Sequence, residues 1–178
     1  MSNLTSFKAQ LTGGGARTNL FSVTMTFPSD VSTGFAAGQK AEFLIKAAAL
    51  PSSAITPIEV PYRGRKLKIA GDRTFEPWTI TVINDTDMTI RNAFEEWSHR
   101  ITRNDENTSV FGNNLDYMGS ATIYQLDREA NKVKAYDMLG CWPSQISSIE
   151  VSYENEGVQE FTVELQFQEW FSSDSTTA

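Results

Sequence analysis

The sequence predicts a mainly β fold, an antiparallel β-sandwich or barrel with one flanking α-helix. Three observations carry this reading. Apolar and polar residues alternate over several separate stretches, the period-2 signature of strands with one wet face. Only one segment, Ile90 to Ile101, places apolar residues at helical spacing. Eleven Phe, five Tyr and four Trp among 178 residues supply the bulk for a single substantial core and argue against a disordered chain.

Residues 1–18 are small and polar, with Gly13, Gly14 and Gly15 in a row, and read as a flexible N-terminal arm. A single β domain is expected over 19–171, and 172–178 reads as a disordered tail. In the first strand Phe21, Val23, Met25 and Phe27 share one face, with Ser22, Thr24 and Thr26 opposite, and Pro28 ends it. The stretch 28–39 is loop-like, and its Gly34, Gly38 and Lys40 lack the spacing of a phosphate-binding loop. Ala41, Phe43, Ile45 and Ala47 mark a second strand, closed by Leu50-Pro51. Ile58, Val60 and Tyr62 share one parity, and Leu67 and Ile69 the other. A bulge or tight bend at Gly64 would turn both sets toward the core. Trp78, Ile80 and Val82 form the next strand.

The helix follows, with Asp85, Thr86 and Asp87 at its start and a stripe of Ile90, Phe94, Trp97 and Ile101. Glu95, Glu96 and His99 read as its solvated face. Residues 104–118 are loop-like, and the acids from Asp105 onward do not match a calcium loop, because the glycine and the terminal glutamate are misplaced. A hairpin is expected from Ala121–Leu126 and Lys132–Met138, then a break at Gly140-Cys141-Trp142-Pro143. Ile149, Val151 and Tyr153 read as a strand and Asn155-Glu156-Gly157 as a turn. A long strand carries Phe161, Val163, Leu165 and Phe167 against a wet face of Glu160, Thr162, Glu164, Gln166 and Gln168.

Charge is distributed unevenly. All fifteen Lys and Arg fall within residues 1–134, which carry a net +1, whereas 135–178 hold eight acids and no Lys or Arg. Such a field repels nucleic acid and offers a complement to a basic surface. Arg63, Arg65, Lys66, Lys68 and Arg73 form the basic cluster, and in an acidic protein they read as a solvated edge or a protein–protein contact. Cys141 has no partner for a disulfide, and a lone His99 makes a histidine metal site untenable. No nucleophile elbow, dinucleotide fingerprint, CxxC or HExxH occurs, so no catalytic residue and no cofactor is expected. No apolar run approaches the ~20 residues of a membrane helix, and the N-terminus lacks a signal-peptide core, so a soluble protein without a membrane anchor is expected.

Several segments carry a resemblance. They are Asn19-Leu20-Phe21-Ser22-Val23, Lys46-Ala47-Ala48-Ala49-Leu50-Pro51, and Arg65 through Phe75 followed by Trp78-Thr79-Ile80-Thr81-Val82. The Asn84-Asp85 helix start, Gly140-Cys141-Trp142-Pro143 and Phe161-Thr162-Val163-Glu164-Leu165 complete the set. In order and spacing the chain resembles, over about residues 17–171, the tail tube family of T-even-type contractile-tailed bacteriophages. The resemblance implies a β-barrel or sandwich protomer that assembles into sixfold rings. The rings would stack into a hollow tube inside a contractile sheath, with DNA passing through the lumen without specific binding. It implies as partners a second copy of the chain, the sheath protein, and baseplate and tail terminator proteins. The location implied is the virion, after synthesis in the host cytoplasm.

On that reading, the wet faces of the first and last strands are the lumen candidates: Ser22, Thr24 and Thr26, and Glu160, Thr162, Glu164, Gln166 and Gln168. The cluster Arg63, Arg65, Lys66, Lys68 and Arg73 is the candidate inter-subunit contact, with the acid-only segment 135–178 as its complement. Alternatives are the inner tube of a phage-derived contractile injection or secretion system, or a monomeric ligand-binding β-sandwich.

Overall fold

The computed structural model describes residues 3–11, 15–103, 116–154 and 156–174. The chain order is α1 (Leu4–Gln10), β1 (Phe21–Thr26), α2 (Gly34–Leu44), β2 (Ile45–Ala48), β3 (Ser53–Tyr62), β4 (Arg65–Phe75) and β5 (Trp78–Ile83). There follow α3 (Thr89–Ile101), β6 (Gly119–Leu126), β7 (Lys132–Ile146), β8 (Glu160–Gln166) and β9 (Glu169–Asp174). One antiparallel sheet runs in the order β1-β6-β7-β8-β5-β2, and β9 adds to it beside β7. The strands β3 and β4 pair only with each other, as a separate two-stranded sheet.

The alternation read from the sequence sets which face of the main sheet is dry. Val23, Met25 and Phe27, Trp78, Ile80 and Val82, and Phe161, Val163, Leu165 and Phe167 are all buried in one core with Ala121, Ile123 and Met138. The stripe Ile90, Ala93, Phe94 and Trp97 of α3 closes this core. The Phe27 ring lies 5.2 Å from that of Phe94 and 5.3 Å from that of Trp97, both edge-on. The indole N–H groups reach backbone acceptors, Trp97 donating to Tyr117 O (2.7 Å) and Trp78 to Ala49 O (2.6 Å). Burial of these two rings therefore strands neither donor, whereas the buried Trp170 Nε1 has no hydrogen-bond partner among the described residues.

The long strand β7 holds the two halves of the sheet together. Its first half pairs with β6 and β9, and Trp142 to Ile146 pair with β8. Gly140 sits at the changeover with φ +67°, and a Cβ there would meet the Gln168 side chain at 2.6 Å. The break expected at Gly140–Pro143 is thus a bend within a continuous strand. Pro143 is accommodated beside a register shift, where the ladder needs no N–H from it.

Other expectations are corrected. Residues 34–44 form helix α2, so Ala41 and Phe43 are helical and the strand begins only at Ile45. The helix buries its small residues Gly34, Ala37 and Ala41 and leaves Phe43 81% exposed. Its axis approaches β1 so closely that a Cβ on Gly38 would meet Met25 O at 2.7 Å. Small residues rather than an apolar stripe drive this packing, and a search for amphipathicity passes over it. Residues 149–153 form no strand, and Val151 and Tyr153 stand in solvent. Residues 172–174, expected in a disordered tail, belong to β9, which pairs Ser172 with Tyr136 and Ser173 with Ala135. Within the expected N-terminal arm, Leu4–Gln10 are helical, with Asn3 Oδ1 accepting from Thr5 N–H, and exposed along their length. Gly13, Gly14, Asp105 and Asn155 lie outside the described residues.

Polar contacts lock α2 and the loop before it onto α3. Lys40 of α2 donates to Asp85, Asp87 and the Thr89 hydroxyl, and Asp85 accepts from Thr89 N–H (3.2 Å). The expected helix-start carboxylate is therefore Asp85, reaching in from outside the cap residue Met88. Glu96 does not lie on a solvated face: it accepts from the Ser32 N–H and hydroxyl and from Arg100.

The Lys40 hydrogen bond holds the Asp85 carboxyl below its ordinary value. For Glu96, partial burial alone would raise the pKa, but the Ser32 and Arg100 contacts outweigh it and the net shift is downward. A carboxyl with a lowered native pKa stabilises fully above the ordinary range near ~4, and the contribution fades as pH falls through the native value. Stability should therefore hold from neutral pH to about 5 and decline below about 4. Urea melts across pH 3–7 check this. In the Asp85→Asn, Glu96→Gln variant the decline should be shallower, and an unchanged slope would contradict the assignment.

A candidate assembly interface

The hairpin β3–β4 projects as an arm. Every residue of β3 is exposed, and in β4 only Gly71 and Phe75 are half-buried. Phe75 anchors the base, its ring 5.5 Å from that of Phe167. At the tip Arg63 and Gly64 both take positive φ (46° and 82°), the two-residue turn whose twist suits a hairpin. The bend expected at Gly64 is present and joins two paired strands. A register shift lies between Ile55 and Pro57, opposite Gly71, where a Cβ would stand 2.4 Å from Thr56 O. Gly71 is therefore required by a close backbone approach that kinks the arm.

Cross-strand partners share a face. The pairs Ile58–Ile69, Val60–Leu67 and Tyr62–Arg65 lie on one side, and Glu59–Lys68 and Pro61–Lys66 on the other. One side of the arm is thus an apolar strip of Ile58, Val60, Tyr62, Leu67 and Ile69, with exposures of 42–67%. The sequence reading turned these residues toward the core. The structure puts them in water, because the arm has left the body that would have covered them. The basic cluster lies on this arm. Lys66 pairs with Glu59, whereas Arg63, Arg65, Lys68 and Arg73 make no ion pair among the described residues. Arg63 stacks over the Tyr62 ring at 5.4 Å.

The two sets of lumen candidates have different surroundings. On β1, Ser22 donates to Glu42 of α2 (3.3 Å), and Thr24 and Thr26 line an open cleft of about 610 Å³ between β1 and α2. On β8, Thr162 and Glu164 lie opposite Thr81 and Thr79 of β5, and Glu164 lies opposite Gln145 of β7. These side chains make a polar face across three strands, and Gln166 lies opposite Trp142 at its end. Glu160 pairs with Lys46 at its edge (2.7 Å), and Gln168 is exposed beside the Gly140 bend.

Between β7 and β8 the chain forms an acidic surface loop. Ile149, Glu150, Val151, Ser152, Gly157, Val158, Gln159 and Glu160 line a concavity of about 290 Å³ there. Val151 and Val158 are 79% and 72% exposed, and Tyr153 is fully exposed. The sequence places Glu160 among the lumen candidates and the acids in the segment complementary to the basic cluster, and it predicts a strand at Ile149, Val151 and Tyr153. Their alternation was visible, but an alternating segment with no strand to pair with has the same pattern.

Cys141 is buried, and desolvation pushes its thiol up to about 12, so it behaves as a small hydrophobe. No cluster of ligands able to hold a metal ion exists among the described residues, and no helix is long and apolar enough to cross a membrane.

Chains of solved contractile assemblies share this fold. A chain in the sixfold-symmetrised baseplate of the anti-feeding prophage superposes with a TM-score of 0.64 over 90% of this chain and 97% of that one, at 13% identity. A chain of the sheath–tube complex of the extracellular contractile injection system PVC does so with a TM-score of 0.59, over 98% and 99%, at 10% identity. Sequence narrows the class to a family. The family described as phage tail tube protein matches residues 16–173, and the chain belongs to it. The tail tube protein gp19 of Enterobacteria phage T4 is 34% identical over 160 residues, 89% of this chain and 92% of that protein.

Proposed function

We propose that this protein is the structural subunit of the inner tail tube of a contractile-tailed bacteriophage. Copies form sixfold rings that stack into a hollow tube, and phage DNA leaves through the bore. The role is architectural, and the location is the virion. The observation that carries this reading is the arm. A two-stranded hairpin is marginal in water by itself, and this one also exposes an apolar strip, so a neighbouring copy is needed to cover it. Kinship with phage tail tube proteins supplies the kind of assembly. Sheath, baseplate and terminator proteins are the partners, as in the machines whose chains share the fold. Identity of 34% to a phage protein against 10–13% to injection-system chains favours the phage tail over the injection machine. Negative-stain microscopy of the concentrated protein, or of native particles, should show rings or tubes of uniform bore. Their absence from both would overturn the proposal.

Within this reading the β5–β8 face lines the bore. It is broad, polar and, apart from Lys46 at its edge, without a cation among the residues that pair across it. On β1, by contrast, α2 crowds the wet face, where Ser22 already bonds Glu42. Sixfold repetition makes a neutral-to-negative wall whose field decays over ~8 Å at physiological salt, keeping DNA near the axis without gripping it. Thr162→Lys with Glu164→Lys should leave assembly and contraction intact and slow DNA ejection severalfold, with a steep dependence on salt. Ejection at the normal rate would show that β8 faces elsewhere.

A further inference from the structure

We infer that the hairpin arm of one copy docks into the acidic loop 149–160 of a neighbouring copy. The inference rests on the tube reading above and names the receptor for the arm. Three features of the two surfaces correspond. The first is charge. Between positions 57 and 70 the arm carries Arg63, Arg65, Lys66 and Lys68 against one acid, Glu59, and the loop carries Glu150, Glu154, Glu156 and Glu160 with no cation. Lys66 and Glu160 already have partners in their own chain, so the groups left to pair are Arg63, Arg65 and Lys68 with Glu150, Glu154 and Glu156. The second is apolar surface. Tyr62, Val60 and Leu67 near the tip lie open on one side, and Val151, Tyr153 and Val158 lie open on the other. The third is shape. The arm is a narrow convex ribbon ending in a two-residue turn, and the loop encloses a concavity of about 290 Å³ that could seat a side chain from that tip.

Within one chain the arm's strands pair only with each other, and its apolar strip stays in solvent. A repeating assembly satisfies both surfaces at every interface with a single contact type, arm to loop and head to tail. The apolar strip would supply most of the affinity. The charges would fix register and orientation, since exposed pairs are individually weak.

The test is a cysteine pair, Leu67→Cys with Val151→Cys, both at exposed positions where a substitution spares the fold. The buried Cys141 stays out of the reaction. Mild oxidation of assembled material should give a ladder of disulfide-linked oligomers on a non-reducing gel, with neither single variant giving more than dimers. A companion set uses charge. Arg65→Glu with Lys68→Glu should cut tube yield at least tenfold, and adding Glu154→Lys with Glu156→Lys should restore it. Wild-type tubes that form normally while the pair gives no ladder, or gives only an intrachain bridge, would overturn the docking and leave the tube reading standing. Charge reversal that is harmless, or that the swap fails to rescue, would do the same. Wild-type protein that forms neither rings nor tubes would remove the tube reading and the docking together.

Discussion

Replacing Val60, Leu67 and Ile69 by serine should give a protomer that folds normally and no longer assembles. The three side chains lie on one face of the arm and are 42–61% exposed, so their loss costs the isolated fold little. In an assembly each would be removed from water against a neighbour. Burying a Val, Leu or Ile completely is worth about 1.5–3 kcal/mol, so covering these half-exposed chains contributes roughly 3 kcal/mol at each contact. That corresponds to about a hundredfold in association constant for one contact, repeated around every ring. Circular dichroism melts should place the variant within a few degrees of the parent, while negative-stain grids show scattered monomers. Tubes at the parental yield would mean that the strip is covered by something other than a neighbouring copy.

Trp97→Ala should produce the opposite phenotype, a protein that loses stability before it loses any contact surface. The indole is 1% exposed, packs edge-on against Phe27 and beside Phe94, and donates to Tyr117 O. Truncating it leaves a cavity between α3 and β1 and removes the hydrogen bond to Tyr117 O. Substitutions of this kind cost about 3–5 kcal/mol, which for a chain of this size lowers Tm by roughly 6–20 °C. The intermediate variant Trp97→Phe should fall between the two, because it keeps the ring contacts and forfeits the hydrogen bond. Chemical denaturation would measure both. A loss below about 1 kcal/mol for alanine would mean that the aromatic cluster is not the keystone of the core.

The core was legible because period-2 and helical spacing are local consequences of backbone geometry. Val23, Met25 and Phe27, or Ile90, Phe94 and Trp97, declare a common face wherever the chain goes. The family was legible for a related reason: segments such as Arg65–Phe75 and Gly140–Pro143 carry backbone requirements, at Gly71 and Gly140, that few residues meet. What periodicity does not encode is what covers a face. Ile58, Val60, Tyr62, Leu67 and Ile69 have the pattern of core strands, and only the three-dimensional structure reveals that they project into solvent. The same gap separates 149–153 from 169–174. The first alternates but has no strand beside it, whereas the second barely alternates and yet pairs with β7, because ladder hydrogen bonds belong to the backbone and need no particular side chain. Helix α2 was lost to its own small residues, whose advantage is the closeness of approach to β1, a property of two elements together. Sequence alone determined the periodic faces, the charge asymmetry and the kinship. Tertiary structure decided which of those faces the chain covers itself and which it leaves for another molecule, since burial depends on where distant segments meet.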